Sequence, residues 1–151
     1  MTEIHDFLTT DQEAKIVEAI RQAELNTSGE IRVHIESSVS DDHLAHAANV
    51  FHKLKMNQTA ARNGVLIYVA VKSRVFVIYG DEGINEVVPD NFWESTKDIM
   101  QAHFRKSDFT TGLVEGIQKA GEQLKKYFPR ASDDINELPD DISYGKEREE
   151  K

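Results

Sequence analysis

The residues able to do chemistry sit in short polar stretches beside the most apolar segments of the chain. Gly80-Asp81-Glu82-Gly83 sets two acids side by side between glycines, directly after the apolar run 75–79. Thr27-Ser28-Gly29-Glu30 precedes Ile31, Val33 and Ile35, and Arg62-Asn63-Gly64 precedes the apolar run 65–71. Together these stretches supply Glu30, Asp81 and Glu82 as carboxylates, with Asn63, Asn85 and Ser28 as neutral oxygens. Hard cations prefer such donors; calcium takes about six to eight oxygens. Crowded carboxylates also repel one another, which a bound cation relieves. Strand–loop junctions collect glycines and acids for purely conformational reasons as well, and residue types alone leave both readings open.

Other chemistries find less support. The chain has no cysteine, which removes disulfides, thiolate-ligated zinc and thiol nucleophiles. It contains no G-x-S-x-G, H-E-x-x-H or P-loop pattern. A hydrolytic reading therefore needs a metal-held water at the carboxylate cluster, with Arg62 as the phosphate-binding candidate; catalytic residues stay unassigned. His43 and His46 form H-x-x-H, with His52 beyond them. Spacing fixes no third ligand, so surface histidines are favoured over a zinc site.

With 151 residues, the chain is long enough for one domain with a substantial core. Acids outnumber bases 27 to 18, for a formal charge of −9. That argues against a nucleic-acid or anionic-membrane surface, both of which need basic patches. The opening MTEIHDFLTT lacks the basic and apolar regions of a secretory signal. The longest apolar run, 65–71, is too short to span a bilayer. The expectation is a soluble, cytoplasmic protein with no direct membrane insertion and a protein partner still to be identified.

The elements that must position these residues follow from periodicity. Thr10 and Glu13 read as a capping box for a helix with Ile16, Val17, Ile20 and Ala23 on one face, ending near Asn26. Ile31, Val33 and Ile35 alternate with Arg32, His34 and Glu36, which predicts a flanking strand with one polar face. Asp41 or Asp42 caps a second helix with the stripe Leu44, Ala47, Phe51 and Leu54. Residues 65–71 and 75–79 are apolar on both faces and read as central strands joined in a hairpin by Lys72-Ser73-Arg74. Pro89 and Asp90 open a third helix, with Phe92 and Trp93 at its start. Ser107 or Asp108 starts a fourth, in which Gly112 and Gly116 lie one turn apart and imply close backbone packing. Residues 1–129 form the domain. Residues 130–151, with eight acids against four bases, form an acidic tail that is at most partly ordered, although 136–144 carries enough apolar residues to dock or to bind a partner.

The helix-strand-helix-strand-strand-helix-helix order predicts an α/β/α sandwich on a small mixed sheet. A right-handed crossover makes the first two strands parallel, and the hairpin makes the third antiparallel to both. The end of the third strand then meets the starts of the first two, bringing Asp81 and Glu82 to the same sheet end as Glu30 and Asn63.

These segments also carry a family resemblance. "TSGEIRVHIES", "RNGVLIYVAV" and "GDEGINEVVPDNFW", followed by "FTTGLVEGI", resemble the TPM domain, a family with plant, nematode and bacterial members. The resemblance covers nearly the whole chain before the tail. It implies an α/β/α sandwich, binding of a divalent cation, and for plant members a weak acid phosphatase activity. The acidic turn departs from a common family form, G-Y-G-L-E-G, with Asn85 where that form has its glutamate. The expected function is thus an accessory or interaction module that binds a divalent cation, calcium before magnesium, through Asp81, Glu82, Glu30 and Asn63. The alternative is a weak metal-assisted phosphatase acting on phosphomonoesters.

Overall fold

The computed structural model describes residues 8–38, 42–130 and 142–145. Helix α1 (Thr10–Glu24) leads into strand β1 (Glu30–Glu36), helix α2 (His43–Lys53) and a 3₁₀ turn at Met56–Gln58. Strands β2 (Gly64–Ala70) and β3 (Val75–Gly80) form the hairpin. Three helices follow, α3 (Glu82–Asn85), α4 (Glu94–Arg105) and α5 (Phe109–Lys125), and then a two-residue strand β4 (Ser143–Tyr144).

The sheet runs β3-β2-β1-β4. β1 lies parallel to β2 with Glu30 opposite Gly64, and β3 lies antiparallel to β2 with Gly80 opposite Val65. Two apolar clusters occupy opposite faces. Ile31, Val33, Ile35, Val65, Ile67 and Val69 pack under α1, α4 and α5, while Leu66, Tyr68, Ala70 and Val77 meet Ala47, Val50, Phe51 and Met56. The architecture is the three-layer α/β/α sandwich, with the hairpin and the parallel crossover as sequence logic required.

Several local expectations are corrected. Thr9, one residue earlier than Thr10, caps α1; its side chain accepts from the Gln12 amide, and the Gln12 side chain accepts in return from the Thr9 amide. β1 is an inner strand, because residues 143–144 pair along its outer side. Its polar face is covered at the centre: His34 is buried between the ring of Tyr68 and the hydroxyl of Ser143. β3, expected to be central, is an edge strand among the described residues. It is apolar on both sides because Phe51 of α2 covers Tyr79, with ring centroids 4.9 Å apart, and Phe104 of α4 covers Phe76 at 5.1 Å. Leu44 is exposed, and Val50 takes its expected place in the α2 stripe. The third expected helix starts at Glu94 rather than at Pro89 and Asp90, and an additional short helix, α3, forms immediately after β3, within the stretch read as an acidic turn. Four residues are too few to show a helical period.

Glycines set the helix spacing on the α1/α4/α5 face. A Cβ on Gly116 would lie 2.5 Å from Met100 Cγ, and one on Gly121 would lie 2.8 Å from Ala23 Cβ. These positions let α5 approach α4 and α1 at close range. The tail segment 136–141 lies outside the described residues. Beyond it, Ile142 packs on the core, and Ser143 and Tyr144 pair with His34 and Ile35 of β1.

Candidate functional site

The acidic end is assembled from three loops held by backbone contacts. Glu30 N–H donates to the Asn63 carbonyl at 3.3 Å, and Asp81 N–H donates to the Gly64 carbonyl at 3.0 Å. Ser28 N–H donates to the Phe128 carbonyl at 2.8 Å, which ties the first loop to the end of α5. The Asn63 side-chain amide donates to Ser28 Oγ at 3.3 Å. Gly83 is needed for proximity: a Cβ there would stand 2.3 Å from the Ala61 carbonyl oxygen and 2.5 Å from that of Arg62. Arg62 adopts a left-handed conformation, φ 52°, and so turns its carbonyl toward Gly83.

This geometry decides what each predicted residue does. Asp81 is buried at 5% exposure. Arg62 Nε donates to its Oδ2 at 2.9 Å and Arg62 Nη2 to its Oδ1 at 3.2 Å. Asp81 Oδ1 also accepts from the Glu82 amide at 2.7 Å and caps α3. A buried carboxylate requires such partners, and the fork of a guanidinium supplies two of them at once. Glu82 points to solvent, with Arg62 Nη1 3.4 Å from its carboxylate. The side-chain bond to Asp81, with the charges of Asp81, Glu82 and Glu86 behind it, moves the Arg62 pKa up despite partial desolvation. Glu30 and Asn63 are buried, at 3% and 1% exposure. The Asn85 amide donates to the Gly80 carbonyl at 3.1 Å.

The donor chemistry fits a hard cation, because every acceptor at this end is oxygen. The positive charge actually beside Asp81 and Glu82 is Arg62, which sequence reasoning had reserved for phosphate. Among the described residues, no three His, Asp or Glu side chains converge on a common metal-ligand position.

A second polar centre, which sequence reasoning missed, lies at the opposite end of β1. Glu36 accepts from His34 Nε2 at 2.8 Å, from His46 Nε2 at 3.0 Å and from the Tyr68 hydroxyl at 3.0 Å. His34 Nδ1 is 2.9 Å from Ser143 Oγ. Burial works to raise the Glu36 pKa, but the His34 hydrogen bond, the charges of His34 and His46 and the Tyr68 hydroxyl outweigh it and hold the carboxyl below its usual range. Burial foremost, then the Glu36 charge and hydrogen bond, push the Tyr68 phenol well above its ordinary value. Two sequence signals pointed here: the polar alternation within β1, and a tyrosine inside an otherwise aliphatic β2, whose hydroxyl needs a partner when buried. His46 therefore belongs to a carboxylate pair, while His43 is exposed.

No helix of the described residues is long and apolar enough to cross a membrane. Comparison with solved structures finds a near match in the BA42 protein of the psychrophilic bacterium Bizionia argentinensis. It is 56% identical, over 96% of this chain and 100% of that one, with a TM-score of 0.90. The N-terminal domain of a P. gingivalis protein shares the fold at 21% identity and a TM-score of 0.66, over 81% of this chain and 79% of that one. So does the N-terminal domain of the cg2496 protein of Corynebacterium glutamicum, at 14% identity and a TM-score of 0.62, over 76% and 72%. No curated protein matches the chain. The TPM domain matches residues 2–123, which span both polar centres except Ser143, and the chain belongs to the TPM domain family.

Proposed function

We propose that this domain is an interaction module whose acidic end takes up a divalent cation, calcium before magnesium. The observation that supports this reading is the Arg62–Asp81 pair. A loop remote in sequence has folded a guanidinium onto Asp81 and Glu82, so the carboxylates sit where positive charge is required. Asp81 and Glu82 would hold the cation, with the oxygens of Asn63 and Ser28 beside them and Glu30 on the adjoining strand. The ion competes with Arg62, and uptake frees the guanidinium for solvent or for a partner. A trade of one cation for another changes the surface charge at this end with little change in fold.

Phosphomonoester hydrolysis would draw on the same end, with Arg62 as phosphate ligand. We rank that reading second, because Arg62 is already engaged by two hydrogen bonds to Asp81.

Calcium titration followed residue by residue in NMR tests the proposal. Saturable shifts are expected at Asn63, Asp81, Glu82 and Gly83, together with a rise in melting temperature, because a ligand of the folded state stabilises it. Glu82→Gln, at an exposed position that leaves folding intact, is expected to weaken the shifts. Absence of saturable shifts up to about 10 mM calcium, well above the weakest dissociation constants of ~1 mM known for protein modules, sinks the reading.

A further inference from the structure

The outer edge of β1 presents its backbone groups in two unequal halves. Near the start of the strand, Ile31 N–H is taken by the buried carboxylate of Glu24 at 2.9 Å. A side chain thus ends the ladder there, one way of blunting an exposed edge. Further along, the edge stays available to a strand. Ser143 and Tyr144 pair in parallel with His34 and Ile35, and Gly145 N–H donates to the Ile35 carbonyl at 2.8 Å. The opening is short, bounded by Glu24 at one end and Glu36 at the other.

Each residue in that opening meets a different selective contact. Ile142 packs against the core that holds Ile35. Ser143 Oγ faces His34 Nδ1 at 2.9 Å. The Tyr144 hydroxyl donates to the carboxylate of Glu13 on α1. Gly145 lies flat on Glu36: a Cβ there would be 2.4 Å from Glu36 Cγ and 2.9 Å from Cδ. His34 and Glu36 are themselves fixed, one stacked on Tyr68 and the other held by His46 and Tyr68. Both are therefore held by contacts within the domain as well as by the strand that lies on them. Recognition by strand addition has this form, with main-chain bonds for affinity and alternate side-chain contacts for selectivity.

We propose that the outer edge of β1 is a peptide-docking groove selective for an extended apolar–Ser–aromatic–Gly segment. Residues 142–145 fill it in cis, and a partner protein offering the same pattern fills it in trans. A ladder of two paired residues is short enough to open locally while the domain stays folded, so the segment is exchangeable. This groove is separate from the cation end and does not depend on it.

The test uses the full chain. Gly145→Val places a side chain against Glu36 and should expel the segment, with loss of hydrogen-exchange protection at the 145 amide and an otherwise unchanged spectrum. A synthetic peptide with the sequence of residues 138–148 is then added to this variant. Saturable shifts at His34, Ile35 and Glu36 are expected, and a peptide with Ser143→Ala and Gly145→Val should bind about tenfold more weakly, as expected for a lost hydrogen bond plus a steric conflict. Ser143→Ala with Tyr144→Phe in the full chain provides a second, gentler release of the segment for the same titration. Retained protection in both variants overturns the proposal, and so does the absence of shifts at these three residues with millimolar peptide. A wild-type dimer that exchanges residues 142–145 between copies overturns it in favour of a second copy as occupant.

Discussion

Arg62 and Asp81 are nineteen positions apart and joined by two hydrogen bonds, at 2.9 and 3.2 Å, between a half-exposed guanidinium and a buried carboxylate. The pair is a structural clamp on the β3–α3 turn and, on the proposed reading, the competitor for a cation. Arg62→Gln removes the competing charge and leaves Asp81 buried without its counter-ion. The expected outcome is a lower melting temperature without calcium and a larger calcium-induced rise than in the wild type. Paired thermal melts with chelator and with calcium check it; equal rises in both proteins would separate Arg62 from the cation site.

Glu36 couples the opposite end of β1 to pH. Its carboxyl titrates below its usual range, so the folded value lies below the unfolded one of about 4.3. The stabilisation it provides is present above that unfolded value and is lost as pH falls through the folded value. Glu36→Gln should cost about 1–2 kcal/mol near pH 7, where charge-assisted hydrogen bonds from His34, His46 and Tyr68 are weakened. The difference between wild type and variant should shrink as pH falls from about 5 toward 3. Urea midpoints measured across that range decide; a constant difference refutes the coupling.

Gly121 fixes how closely α5 lies on α1. A Cβ there would meet Ala23 Cβ at 2.8 Å and Ala23 Cα at 3.2 Å, and a backbone atom cannot move aside as a side-chain end can. Gly121→Ala improves helix propensity by about 1 kcal/mol, but overpacking costs about 1–3 kcal/mol. Net destabilisation is expected. Adding Ala23→Gly removes the opposing methyl and should recover part of the overpacking loss, which a double-mutant cycle reads as coupling.

Much of the fold was legible because local signals and connection lengths agreed. A short hairpin loop and a helical crossover left one arrangement for β1, β2 and β3, and that arrangement brought Asp81 to the side of Asn63 and Glu30. The rank of β1 in the sheet was not legible. Arg32, His34 and Glu36 alternate as solvent-facing residues do, yet His34 is buried by a serine 109 positions away, and no periodicity reports such a partner. The Arg62–Asp81 bond was hidden for a related reason. Both residues were visible as polar groups at one sheet end, but which pairs with which depends on the left-handed turn at Arg62 and the close approach at Gly83. The Glu36 centre was signalled only in part, by the polar alternation of β1 and the lone tyrosine of β2, since it collects side chains from β1, α2 and β2.

Gly83 is the position where that close approach is tested most directly. An added Cβ would stand 2.3 Å from the Ala61 oxygen, 2.5 Å from the Arg62 oxygen and 2.9 Å from the Arg62 carbonyl carbon, so backbone must yield on one side or the other. The loop holding Arg62 has little slack. Arg62 is already in a left-handed conformation, and the Arg62 amide donates to the Thr59 carbonyl at 3.2 Å. Gly83→Ala should therefore push this loop away from α3, lengthen the Arg62–Asp81 contact and lower stability by about 1–3 kcal/mol. Glu82→Ala, one residue away on the exposed side, should leave stability within about 0.5 kcal/mol. Chemical denaturation of the two variants makes the comparison. NMR of the Arg62 guanidinium protons reports the contact itself: they should lose protection in Gly83→Ala and keep it in Glu82→Ala. An unperturbed Arg62 in Gly83→Ala would mean that the loop accommodates the methyl elsewhere and that Gly83 does not hold the clamp in place.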